Sequence, residues 1–396
     1  MTRLSVLFSL AVLVLSAQSE AKTTPSSLVP EEIRIEKPSP AQTLSPNIRH
    51  AASSLKMNPE LVQKASEGLM LIFKRDYRKA RAHFTTLQSE HPELAIGNVG
   101  RMLIFQCLML ENFDYRFERQ YQTHAALALR DIEKAQAIPG NEAWELFLKG
   151  GVLGIQGIHE MRKSNYVASM KKGLEALGAL KSLQSHAPEF VDPELGNGLY
   201  YYWRTVVGKS SKLIPEGPDR RAEGIALIEK VEKKGAFVAA GASLALAYIY
   251  MEEGKSRKAL GYTQRLSKRY PNNVINGLLQ TRILMRLRRF KRALVIADHV
   301  LATDTDNHRV HYYKSTILMR QNRLDEAQKS IEIFLSLPIE KAAKAYGLHR
   351  KADIYFRQKN YDQARVFYKK AVDTNGYGPS KRRLTRLDQM KEKLDK

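Results

Sequence analysis

Apolar residues recur three and four positions apart through most of the chain beyond residue 50, in short runs broken by polar turns. This is the period of amphipathic helices. The stretch KNYDQARVFYKKAV, Lys359 to Val372, shows the unit: a turn, then one short helix with a small residue, Ala364, near its start. A helix of this length does not hold itself in water and needs something to pack against. The same phrase recurs upstream, with Ala259, Ala293 and Ala327 in the place of Ala364, at spacings of 34, 34 and 37 residues. Where two helices cross closely only a small side chain fits, and Leu246, Tyr250 and Leu266 supply the bulk around Ala259. Pro271 then ends the second helix. Each such unit leaves one face bare for the next to cover. The pattern predicts an all-α chain, a right-handed α-solenoid of helix–turn–helix repeats.

A 34-residue period with a recurrent small residue resembles the tetratricopeptide repeat. Residues 240–374 look like four such repeats, and an earlier one resembles EGLMLIFKRDYRKARAHFTTLQSEHP, with Gly68, Ala80, Phe84 and Pro92 at the motif's small, small, aromatic and proline positions. The aromatic near the start of the first helix is missing in every unit, and Thr281 and Ser315 stand where Gly or Ala is usual. Between residues 95 and 235 the register is lost, although the helical period persists. That segment carries Gly150, Gly151, Gly154, Gly157, Gly173 and Gly178, which read as sites of tight helix–helix packing. The stretch from Glu194 to Phe237 resembles helical segments of exported bacterial repeat proteins and of a eukaryotic family tied to inclusion-body clearance. No function is carried over from it.

The N-terminus changes the setting. Arg3, the apolar run Leu4–Leu15 and the small residues around Ala17 and Ala21 have the pattern of a cleaved signal peptide. A run of about twelve apolar residues is short of the roughly 20 needed to cross a bilayer. No cysteine stands at the cleavage site, so the expectation is export to the periplasm or cell envelope without a lipid anchor. The expected order is a signal peptide at 1–21, a Pro/Ser-rich disordered linker at 22–50, a divergent helical region at 51–235, an array of about four repeats at 236–375 and a capping helix at 376–396. Cys107 is the only cysteine and, among apolar neighbours, reads as a small buried hydrophobe.

Motifs for chemistry are fragmentary. His159 lacks the second histidine that a zinc helix needs, because Lys163 stands there. The sequence VVGKSS at Gly208 lacks the upstream glycine of a phosphate loop, because Trp203 stands there. Asp304-Thr305-Asp306 lacks the glycine and distal glutamate of a calcium loop and reads as a turn between repeats. The reading is a non-enzymatic protein without a cofactor or bound metal.

Charge is the informative feature. The chain carries a net +23, and residues 255–396 hold 33 Lys and Arg against 13 Asp and Glu. Such an excess implies an anionic partner. Aligned on the alanine ladder, Arg286, Arg320 and Arg357 occupy one equivalent position, with Arg282 one turn before Arg286. Tyr248, Tyr312, Tyr313, Tyr346, His349 and Arg350 fall on or beside the same stripe. These ten residues are the expected groove, basic and aromatic, since Arg gives bidentate donors to carboxylate or phosphate. Arg288, Arg289, Lys291 and Arg292 lie around the turn and read as a solvated face. The expected function is an exported scaffold that binds an acidic protein or peptide segment. The alternative is a binder of anionic envelope polymer or lipid. Nucleic acid is not expected behind a signal peptide.

Overall fold

The computed structural model describes residues 44–112, 114–210 and 217–394. The signal-peptide reading and most of the linker lie outside the described residues. The described chain contains eighteen α-helices and no strand. They are α1 (Pro46–Leu55), α2 (Pro59–Phe73), α3 (Tyr77–Glu90), α4 (Ile96–Asn112), α5 (Glu118–Ala135), α6 (Glu142–Arg162), α7 (Tyr166–His186), α8 (Glu194–Ser210) and α9 (Arg221–Lys234). Then follow α10 (Ala239–Glu252), α11 (Ser256–Arg269), α12 (Val274–Arg286), α13 (Phe290–Thr303), α14 (His308–Arg320), α15 (Leu324–Ser336), α16 (Lys341–Arg357), α17 (Tyr361–Asn375) and α18 (Gly378–Leu394). Helices α2 to α17 form eight consecutive hairpins, each packed on the next. The chain is an α-solenoid, and its divergent middle continues the stack.

The linker expected up to residue 50 gives way to helix at Pro46, because Ser45 caps that helix by accepting from the Ile48 N–H and proline is well placed in a first turn. Ile48, Ala51, Ala52 and Leu55 bury the inner face of α1.

A second register underlies the alanine ladder. In the short hairpin turns one residue takes the left-handed conformation: Arg75, Ser164, Gly254, Arg288, Asn322 and Lys359, with φ between 56° and 74°. Five residues on stands the residue at the crossing, namely Ala80, Ser169, Ala259, Ala293, Ala327 and Ala364, all buried. Twelve residues before each of these stand Gly68, Gly157, Ala247, Thr281, Ser315 and Ala352 on the facing helix, also buried. Thr281 fits because its hydroxyl donates back to the Gly277 carbonyl at 2.9 Å. In the α6–α7 hairpin a Cβ on Gly157 would come within 3.2 Å of the Ser169 carbonyl oxygen. The α8–α9 hairpin is tighter still. A Cβ on Gly198 or Gly224 would reach the other's carbonyl oxygen at 2.6 or 2.5 Å, so glycine is required at both. Gly151, Gly173 and Gly178 face open space and play no such part.

The solenoid folds back on its own edge. Helices α1 and α2 and the first hairpin turns reach the turns that join later hairpins. Asn47 donates to the Lys233 and Gly235 carbonyls, Ser66 to Ala236, and Asn273 to Phe73. Arg75 donates to the Thr303 carbonyl and to the buried Glu111 carboxylate, each at 3.0 Å, and lies 3.7 Å from Asp304. Asp304 therefore sits in a turn between hairpins, where Asn307 holds it at 2.9 Å. Trp144, Phe147, Phe190 and Phe237 pack ring against ring, tilted or edge-on with centroids 5.0–6.2 Å apart, where α6 meets the approaches to α8 and α10. Asp192, 3 % exposed, accepts the N–H groups of Ala236, Phe237 and Val238 at 2.7–2.9 Å and ties the approach to α8 to the turn before α10.

Glu145 on α6 is fully buried. Burial pushes its carboxyl up to about 8, Asp131 adds to this, and the Ala95 backbone only partly offsets it. Such a raised carboxyl contributes most below its unfolded value, about 4.5, and loses that contribution as pH climbs to about 8. Glu145→Gln is expected to remove roughly 2–4 kcal/mol of the stability lost over that window. Urea midpoints of both proteins at pH 5, 7 and 8.5 check this; parallel pH profiles would refute it.

A basic cleft at the ends of three helices

The last four carbonyls of a helix lack partners inside it, and its C-terminal end favours a cation. Arg286, Arg320 and Arg357 are the final residues of α12, α14 and α16, each two positions before the left-handed turn residue. Arg286 donates to the carbonyl of Met251, near the end of α10, and to Glu252 Oε1 at 2.8 Å. Arg357 donates to the equivalent carbonyl, Met319 on α14, at 3.1 Å. Two rungs of the ladder thus clip one hairpin to the one before. Arg320, the middle rung, is exposed and makes no such bond.

All three line one cleft of about 530 Å³, with Arg288, Met285, Phe290 and Thr316 completing it. Arg286 is neutralised by Glu252, whereas Arg288, Arg320 and Arg357 make no ion pair among the described residues. The cleft therefore offers unbalanced guanidinium groups beside two apolar side chains. Another recess, of about 200 Å³ at Pro271, is lined by no Lys, Arg, Asp or Glu.

The other expected groove residues are elsewhere. Tyr248 is 1 % exposed, its ring 5.9 Å from Trp203. Burial raises its hydroxyl above the usual range and Glu252 adds to this, while the nearby Arg282 and Arg286 oppose it. Arg282 is half-buried and does not line the cleft. Tyr313 is buried and accepts from Arg309 at 2.8 Å. Tyr312, Tyr346, His349 and Arg350 form a packed network instead of an open stripe. Arg350 donates to Tyr312 Oη and Asp353, both at 3.3 Å, and Tyr312 meets Tyr346 edge-on at 5.6 Å. His349 contacts the buried Ser380 Oγ at 2.9 Å and Tyr377 at 5.3 Å. Burial lowers the His349 pKa, against the pull of Asp353. The cause is α18, whose arrival brings Ser380 and Tyr377 against this part of α16. Arg288, read as solvated, is exposed and also lines the cleft.

The motif fragments have structural places. His159 is buried and sits 2.6 Å from Glu118, whose carboxyl is lowered to about 2: His159 and Lys163 outweigh the opposing burial. Gly208 lies on α8, which no strand precedes among the described residues. Burial pushes the Cys107 thiol up to about 12, with Glu111 adding to it. No helix among the described residues is long and apolar enough to cross a membrane.

Two segments match models of the tetratricopeptide repeat, residues 242–273 and 345–376. No curated protein matches the chain. Among solved structures, it is similar to YrrB, described as a TPR protein with an unusual peptide-binding site, at 14 % identity over 52 % of this chain and 98 % of that one, with a TM-score of 0.37. It is also similar to MamA of MSR-1, at 19 % identity over 45 % of this chain and 97 % of that one, with a TM-score of 0.33. The APC/C hetero-tetramer Cut9-Hcn1 matches at 13 % identity over 80 % of this chain and 67 % of that one, with a TM-score of 0.43.

Proposed function

We propose that this α-solenoid, with its two segments that match tetratricopeptide-repeat models, is an exported, non-enzymatic scaffold that binds an acidic protein or peptide segment through the cleft of Arg286, Arg288, Arg320 and Arg357. The observation that carries this reading is the sharing of one cleft by four arginines with a single balancing carboxylate. Carboxylates accept paired guanidinium N–H groups in a fixed geometry. Arg286 and Arg357 are held by main-chain carbonyls, so part of their ordering cost is met before a ligand arrives. Met285 and Phe290 suit a ligand with an apolar residue between its acids. The excess of Lys and Arg over residues 255–396 would speed encounter.

The test is a titration by fluorescence anisotropy. A labelled peptide of Asp and Glu around one Phe is compared with isomers that carry the same residues in other orders. The scaffold reading expects affinity to depend on order and to survive 150 mM salt. Equal affinity for every order, abolished by salt, would mark a general binder of anionic polymer and sink the cleft reading.

A further inference from the structure

The second helix of each hairpin turns one side outward, and the turn register allows the hairpins to be compared there. Three residues after the left-handed position stand Arg78, Arg257, Lys291, Asp325 and Asp362; ten residues after it stand Thr85, Gln264, Asp298, Glu332 and Lys369. In α7 the same two positions hold Val167 and Leu174, which are 80 % and 56 % exposed. Met170, 61 % exposed, lies between them on the same face. Three large apolar side chains thus stand in solvent, two of them where the other hairpins carry polar groups. Isolated exposed apolar residues are ordinary, but a contiguous set on one helix marks a contact surface.

We infer that α7 is a docking face for an anionic lipid surface, with its apolar ridge set into the headgroup region. Charge complementarity selects this occupant. Lys171 is exposed beside the line from Val167 through Leu174, Lys181 is exposed further along that same line, and neither makes an ion pair among the described residues. Glu175, the only acidic residue of α7, is paired with Lys172 at 3.3 Å. An apolar ridge bordered by lysines is the pattern of a helix lying in a membrane interface, where long basic side chains reach the phosphates. The next helix, α8, packs against little of α7, so the ridge stays open to solvent. This face is distinct from the arginine cleft, and neither reading depends on the other.

The test is co-sedimentation of the protein with vesicles of phosphatidylglycerol and phosphatidylcholine, and with phosphatidylcholine alone. The native protein is expected to bind the anionic vesicles and not the neutral ones. The variant Val167→Ser/Met170→Ser/Leu174→Ser is expected to lose at least tenfold in binding, with an unchanged melting temperature because the side chains are exposed. The variant Arg288→Glu/Arg320→Glu is expected to bind vesicles within about twofold of native. No binding to anionic vesicles overturns the inference. Loss in the arginine variant with retention in the serine variant does the same, by assigning the attraction to the basic repeats. A native dimer that the serine variant abolishes would identify a second copy as the occupant and also overturn it.

Discussion

Asp192→Ala is expected to lower the unfolding free energy by about 3–5 kcal/mol, the range for a buried polar node whose loss orphans several donors. The carboxylate accepts three consecutive main-chain N–H groups, and alanine leaves the buried Phe237 N–H and the part-buried Ala236 and Val238 N–H groups without that acceptor. The position also joins two apolar cores. Phe237, whose N–H it holds, belongs to the core built on α1 to α7, while the adjacent Val191 belongs to the core around α10 and α12. Breaking the joint is expected to uncouple them, so that one cooperative urea transition becomes broader or biphasic. Asp192→Asn keeps one acceptor oxygen and is expected to cost less than half as much. Hydrogen exchange at Ala236, Phe237 and Val238 gives a local reading: these amides should exchange much faster in the alanine variant. Unchanged exchange would contradict the assignment.

Charge reversal in the cleft is the second large effect, and the choice of variant matters. Arg286 and Arg357 clip neighbouring hairpins through main-chain carbonyls, so reversing them lowers stability as well as affinity. Arg288→Glu/Arg320→Glu leaves both clips in place. It is expected to weaken an acidic peptide by about 100-fold, or ~2.7 kcal/mol, with little change in melting temperature. The triple variant at Arg286, Arg320 and Arg357 is expected to bind no better and to melt lower. Equal affinity of native and Arg288→Glu/Arg320→Glu protein would remove the cleft from the account.

The ends of the repeat array were legible because the crossing residues there are alanine at a nearly constant spacing. Ala259, Ala293, Ala327 and Ala364 announce four hairpins in the bare sequence. The middle was opaque for three physical reasons. The α6–α7 hairpin crosses at Gly157 and Ser169 on helices of 21 residues each, longer than the 13–14 of α12 to α15. The α8–α9 hairpin crosses at two glycines 26 residues apart, because its connection is long. The turn before α5 is extended as well, which shifts the spacing again. The site was half legible. Position along the ladder fixed which arginines end their helices, and three of them do share a cleft. Equivalent position did not fix exposure. Tyr248 and the Tyr312–Arg350 network lie at expected positions but are covered by Trp203 and by α18, contacts that no repeat spacing encodes.

The central claim is that an acidic segment seats among Arg286, Arg288, Arg320 and Arg357. Site-specific photocrosslinking tests it most directly. A photoreactive residue at Thr316, inside the cleft, is compared with one at Val366, exposed on α17 and outside the cleft, in the presence of the labelled acidic peptide. The account predicts a covalent adduct at Thr316, lost in Arg288→Glu/Arg320→Glu, and none at Val366. Adducts of equal yield at both positions, or an adduct at Thr316 that persists in the arginine variant, would contradict it.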